Sequence, residues 1–128
     1  MSVPPKSPFR IASGLGAAHA GTQHFWHQRL TAIANIPLTI AFAVIVTGSV
    51  GQSYQEATRT FTNPFVSGLM ALFIVSIAIH MRLGMQVIIE DYVHHEGARI
   101  ALLVVNNFFS MALGFAALFA VLKLSFGV

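Results

Sequence analysis

Three stretches of this chain carry no formal charge: residues 30–55, 60–81 and 100–122, with His80 counted as neutral. Each is long enough to cross a bilayer, which takes about 20 apolar residues. Inside hydrocarbon, every backbone N–H and C=O has to be bonded within the protein, so these segments are expected to be α-helices. The fold class is therefore all-α and integral to a membrane, with three transmembrane helices at about 30–50, 64–90 and 99–124. The composition agrees. Only 9% of residues are charged, against roughly 25% in an ordinary soluble domain, and the mean hydropathy is +0.73. A soluble fold of 128 residues needs more charge than that to cover its surface. The length suits one domain over 1–128.

Composition also removes several functions. There is no cysteine, which excludes a disulfide scaffold, an all-cysteine iron–sulfur cluster and a thioether-attached haem. The net charge is +3 and the isoelectric point about 10.0, but the Lys and Arg residues stand singly, so nucleic acid is not a partner. Their placement orients the chain instead. Lys6, Arg10, Arg29 and Arg99 fall on one side of the membrane, Arg59 and Lys123 on the other. The positive-inside bias puts the N-terminus in the cytoplasm and the C-terminus in the periplasm of a bacterial inner membrane, or in matrix and intermembrane space if mitochondrial.

Residues 1–25 contain Pro4, Pro5 and Pro8 with little periodic apolar pattern and are expected to form an extended arm. No compact apolar core precedes a cleavage site, so the first helix is expected to act as an uncleaved insertion signal. Gly51–Asn63 is expected as a loop, and Asn63-Pro64 as a helix start. Residues 91–98 form a short loop that makes helices two and three antiparallel neighbours.

Ionisable residues within a membrane segment are expensive and so are functional candidates. The second helix holds His80, Arg82, Glu90 and Asp91, followed by Tyr92. A neutral imidazole at His80 has to bond to something: either a neighbouring helix, or a haem iron as an axial ligand. Asp91 follows His80 on nearly the same helix face, about 20° away and roughly 16 Å along the axis. Gly84 lies close to that stripe. It suits either ordinary helix packing or the approach of a flat macrocycle to the backbone. Asp91-Tyr92 stands at the membrane–water boundary, as an interfacial anchor or as a phenol donor to a carbonyl of a membrane-soluble substrate with a carboxylate beside it. Arg29, at the start of the first helix near Trp26, is either a positive-inside anchor or the partner of an anionic group such as a haem propionate. Arg82 lies about 200° from His80 and faces away from it. His19, His24, His27, His94 and His95 match no compact metal motif. Asn106, Asn107 and Ser110 are expected to bond between helices.

Two stretches carry a family resemblance: Gly21-Thr22-Gln23-His24-Phe25-Trp26-His27-Gln28-Arg29-Leu30-Thr31-Ala32, and His80-Met81-Arg82-Leu83-Gly84-Met85-Gln86-Val87-Ile88-Ile89-Glu90-Asp91-Tyr92. Together with the length and helix count, they resemble the small hydrophobic membrane-anchor subunits of succinate dehydrogenase (complex II), the cytochrome b556 small subunits of alphaproteobacterial type. The resemblance implies three helices packing with a second, larger anchor subunit as a helical bundle, in contact with phospholipid. It implies His80 as one axial ligand, hence the metal ligand, of a haem b shared with that subunit. It implies Tyr92 as a hydrogen-bond donor to ubiquinone at the interface with the iron–sulfur subunit, with Asp91 supporting that site. It implies that Arg29 pairs with a propionate or borders the quinone pocket, and Gly84 joins the cofactor-binding candidates through the close approach it allows. The chain has no dinucleotide motif for flavin, so the resemblance implies a subunit and not a complete enzyme, with flavoprotein and iron–sulfur subunits starting the electron path. The alternatives are a quinol:fumarate reductase anchor, a non-catalytic structural subunit of another membrane complex, and a small transporter. Three helices without a repeat suit the last poorly.

Overall fold

The computed structural model describes residues 8–128, with side chains from residue 22 onward. Four helices follow one another: α1 (Pro8–Ser49), α2 (Tyr54–Thr62), α3 (Pro64–Tyr92) and α4 (Glu96–Phe126). No strand occurs among the described residues. Three stretches are long and apolar enough to cross a membrane, Thr22–Ser49, Pro64–Tyr92 and Glu96–Phe126. The all-α, three-span reading holds.

The ends of the helices differ from expectation in three places. The arm anticipated as extended over residues 1–25 is helical from Pro8 onward, and residues 1–7 lie outside the described residues. Proline is well tolerated as the first residue of a helix, where its missing N–H had no partner anyway. No further proline follows until Pro37, and Gly14, Gly16 and Gly21 each disfavour the helix by only about 1 kcal/mol. The second difference is α2, inside a segment read as loop. Its start is a capping box: the Glu56 backbone N–H donates to Ser53 Oγ, and the Glu56 carboxylate accepts from the Ser53 N–H at 2.8 Å. The Ser-x-x-Glu spacing is a sequence-level helix signal that went unused. The backbone hydrogen bond from Ser53, then the Ser53 hydroxyl, hold the Glu56 carboxyl below its ordinary range. Third, α3 runs on through Asp91 and Tyr92, which leaves only residues 93–95 as the connection to α4.

The other caps follow local chemistry. Asn63 Oδ1 accepts from the Phe65 N–H at 2.9 Å, with Pro64 opening α3. His95 caps α4, its Nδ1 accepting from the Ala98 N–H at 3.2 Å. Gly127, at φ +69°, closes α4 by donating to the carbonyls of Leu124 and Lys123, a left-handed geometry that a side chain would resist.

The central helix is α3, which touches α1, α2 and α4. Its register against α1 is antiparallel: Thr31 meets His80, and Phe42 stacks on Phe73 with ring centroids 4.7 Å apart. Its register against α4 is also antiparallel, with Arg82 at Asn106 and Asn107, Ala78 at Gly114 and Ser67 at Ser125. A Cβ on Gly114 would stand 3.1 Å from that of Ala78. The two backbones approach here through small residues, as is usual where lipid supplies no hydrophobic drive between helices. The buried apolar core is small, consisting of Met70, Phe73, Leu83, Ile89 and Val121. Most large apolar side chains lie on the surface, as suits a chain whose surroundings are themselves apolar.

Candidate functional site

The polar side chains separate onto two seams, one on each side of α3. On the α1 side, Thr31 bonds back to its own helix, its hydroxyl lying 2.8 Å from the His27 carbonyl and 3.0 Å from that of Gln28. This local bonding is usual for a threonine inside an apolar helix. Its Oγ1 lies 3.1 Å from His80 Nδ1 across the seam. His80 is half-buried. Its other nitrogen, Nε2, has no hydrogen bond among the described residues and is not sealed from the surface.

Beside this pair a groove of about 430 Å³ runs between α1 and α3, lined by Phe25, Gln28, Arg29, Ala32, Ile33 and His80. The α1 residues recur at three- and four-residue spacing, which places them on one face. Arg29 has its guanidinium carbon 4.8 Å from the Phe25 ring centroid, a cation–π contact that holds the charge at the groove mouth. Gly84 faces the same seam; a Cβ there would be 3.9 Å from Gln28 Nε2, an ordinary contact distance. Its smoothness on α3 is thus met by Gln28 of α1.

The structure brings together three of the five candidate residues, His80, Arg29 and Gly84. Asp91 and Tyr92 stand apart at the end of α3. Both are exposed, Tyr92 to 77%, and Tyr92 lies about 18 Å along the axis from His80. Because α3 is helical through Tyr92, Asp91 does share a stripe with His80, but within this chain neither residue touches the groove. Glu90 is turned to Gln86, whose Nε2 donates to it at 2.9 Å. Thr31, Phe25, Gln28, Ala32 and Ile33 had no individual reading from sequence. Only the helical spacing from Phe25 onward signalled them.

The second seam accounts for Arg82. Its Nε–H donates to Asn107 Oδ1 at 2.7 Å, while Asn106 Nδ2 donates to the Arg82 carbonyl at 3.0 Å and Ser110 Oγ donates to Asn106 Oδ1 at 3.4 Å. The expected role of the two asparagines and the serine between helices holds. Arg82 faces α4, away from His80, as its angular position implied. Asn107→Leu removes the acceptor from a guanidinium within the span. A loss of about 1–3 kcal/mol is expected, read as a lowered melting temperature of the detergent-solubilised complex, and Asn107→Asp is expected to restore it.

Among the described residues no three His, Cys, Asp or Glu side chains converge as a metal site. His19 lies outside the residues whose side chains are described; His24, His27 and His94 are exposed.

Comparison with known proteins decides the family. The family model for the succinate dehydrogenase/fumarate reductase transmembrane subunit matches residues 4–122. The chain belongs to that family. It is 33% identical over 121 residues to the succinate dehydrogenase hydrophobic membrane anchor subunit of Paracoccus denitrificans, covering 94% of this chain and 93% of that one. It is 38% identical over 84 residues to the succinate dehydrogenase membrane anchor subunit of Reclinomonas americana, covering 63% and 70%. A hydrophobic membrane anchor subunit from Rickettsia bellii matches at 26% over 100 residues, covering 78% and 80%. No solved structure matches significantly. A transmembrane subunit of this family accounts for the three apolar spans and the scarcity of charge: the chain is a multi-pass membrane protein.

Proposed function

We propose that the chain is the membrane anchor of a succinate:ubiquinone oxidoreductase. It contributes His80 as one axial ligand of a b-type haem, and Tyr92 and Asp91 to the ubiquinone-reducing site. The relatives' names favour succinate oxidation over fumarate reduction. The chain acts as a non-autonomous subunit. Flavoprotein and iron–sulfur subunits oxidise succinate, and a second anchor subunit completes the bundle. The membrane in this reading is a bacterial inner membrane, and the Lys/Arg bias favours an N-terminus in the cytoplasm.

The observation that carries the reading is His80 itself: a half-buried imidazole in a membrane span, bonded through Nδ1, without a partner at Nε2 among the described residues, and lining an open groove with Arg29. These residues fit a haem edge. A single neutral nitrogen suits iron, the groove walls are mostly apolar, and the guanidinium is the fork that binds carboxylates. A bound b-type haem supplies a one-electron store beside the quinone. Around it, this chain's own work is to hold the imidazole, to neutralise a propionate with Arg29, and to keep water out with Phe25 and Ile33.

At the other end of α3, the exposed Tyr92 phenol is free to donate to a quinone carbonyl oxygen in a pocket completed by another subunit. Reduction of a quinone to a quinol takes up two electrons and two protons. The exposed Asp91 carboxylate at the water boundary relays protons toward that oxygen. Separating the two functions by about 18 Å along one helix lets the quinone stay near water while the imidazole stays in the span.

The test is purification of the tagged chain with its partners from detergent-solubilised native membranes. Flavin, non-haem iron, a b-type band in the reduced-minus-oxidised spectrum and succinate–quinone reductase activity are expected together. Absence of both flavin and haem overturns the anchor reading. Flavin without haem retains the anchor and removes the ligand role of His80.

A further inference from the structure

We infer that Thr31 is a positioning residue for His80: it sets the imidazole in the Nδ1–H tautomer and thereby leaves Nε2 as the nitrogen available to a ligand-binding iron. The inference rests on the haem reading above, and it comes from counting protons at one oxygen. Thr31 Oγ1 has three close neighbours: the His27 carbonyl at 2.8 Å, the Gln28 carbonyl at 3.0 Å and His80 Nδ1 at 3.1 Å. The hydroxyl has one hydrogen and two lone pairs. Both carbonyls can only accept. If the hydroxyl hydrogen went to His80, two carbonyl oxygens would face bare lone pairs at short range. If it goes to the carbonyls of α1, a lone pair remains for His80, and His80 Nδ1 carries the hydrogen that fills it. Only the second arrangement satisfies all three contacts. A neutral imidazole protonated at Nδ1 is unprotonated at Nε2, and Nε2 is the atom left without a partner on a groove-lining side chain.

The same contact fixes orientation. The two backbone carbonyls pin the Thr31 hydroxyl to α1, so the acceptor does not swing, and the ring is held about its own axis from a different helix. A ligating histidine commonly donates its second N–H in this way, and loss of that partner typically weakens metal binding about 10- to 100-fold. Here the acceptor is a neutral hydroxyl and not a carboxylate. It orients the ring without drawing the Nδ1 proton away. Thr31 also sits on the helix that carries Arg29, so one segment of α1 sets both the ring and the cation at the groove.

The test uses the assembled complex and does not rely on turnover. Haem per flavin, the reduced difference spectrum and the haem midpoint potential are measured in Thr31→Val, Thr31→Ser and Thr31→Ala. Thr31→Val keeps the shape and deletes the acceptor; haem retention is expected to fall about 10-fold or more and the midpoint potential to move positive, because the ring becomes a weaker electron donor. Thr31→Ser keeps the hydroxyl and is expected to match the parent. Thr31→Ala, the best helix former, repeats the deletion without a β-branch and is expected to show the same losses even if the valine variant assembles poorly. Haem content and potential unchanged in Thr31→Ala overturn the inference. His80→Ala runs in parallel: if it retains the parent spectrum, the ligand reading itself fails, whereas haem loss in His80→Ala with none in Thr31→Ala sinks only the role of Thr31.

Discussion

His80→Ala is expected to abolish the b-type band of the purified complex while flavin content and succinate oxidation by a dye acceptor stay at parental levels. The reasoning starts from what the side chain does within the chain. Among the described residues His80 makes one hydrogen bond, to Thr31, across the α1–α3 seam. Losing it costs the helix pair about 1 kcal/mol, too little to unfold helices whose backbone bonds cannot be exchanged for water in a bilayer. Alanine also favours the helix more than histidine does. Assembly should therefore survive. Haem binding should not, because in the proposed role the variant removes the imidazole that would hold the iron. The loss should exceed the roughly 10- to 100-fold typical when only the partner behind a ligand is removed. The measurement is haem per flavin from the pyridine haemochrome spectrum. A variant that keeps parental haem content shows that His80 is no ligand. A variant that loses haem and flavin together shows that the residue holds the bundle and not the cofactor.

The second large effect is at the opposite end of α3. Tyr92→Phe is expected to lower succinate–ubiquinone reductase activity about 10- to 100-fold, somewhat less than the 10²–10³ of a fully enclosed donor, because the phenol sits at a wet boundary. Dye reduction, haem content and melting temperature should not move. Tyr92 is 77% exposed and touches nothing through its hydroxyl among the described residues. Deleting that oxygen removes no internal contact, and any loss of rate has to come from what another subunit or the quinone places against it. Asp91→Asn should give a smaller decrease, since in the proposed role the carboxylate relays protons and does not hold the substrate. Equal quinone and dye activities in Tyr92→Phe would end the assignment. The pair of variants is informative because the two sites are separable: His80→Ala acts on the spectrum, Tyr92→Phe on quinone turnover alone.

Much of the candidate site was legible before any geometry. His80 and Arg82 stand out because charge and imidazole are rare in an apolar span, and the 100° step of a helix correctly sends them to opposite faces. The placement of Arg82 against α4 confirms that step, since Asn107 is the group that receives it. What could not be read was the partner. Nothing in the spacing of either segment pairs Thr31 with His80; that follows from how α1 and α3 slide against each other, which is set by side-chain shape over the whole seam, including the Phe42–Phe73 stack. The same limit explains α2. Its capping box was present in the sequence, but nine residues make only about two and a half turns, too short for their amphipathic spacing to stand out from a loop. The helical start of α1 at Pro8 was missed for a related reason. Prolines and glycines were read as breakers, although proline at a first helical position is tolerated and scattered glycines only weaken a helix.

By itself the sequence determined that this is a three-span membrane protein, because apolar stretches of that length match the bilayer thickness of a helix and a single stretch can satisfy its own backbone in lipid only as a helix. It also determined which few polar residues could carry chemistry, since each one in a span has to be compensated. The tertiary structure alone decided which of them meet. Thr31 reaches His80, and Asn107 reaches Arg82, through contacts between helices far apart in sequence. Such contacts depend on the register of packed side chains and not on any local propensity. Among the described residues, that register leaves one imidazole nitrogen bonded and the other without a partner.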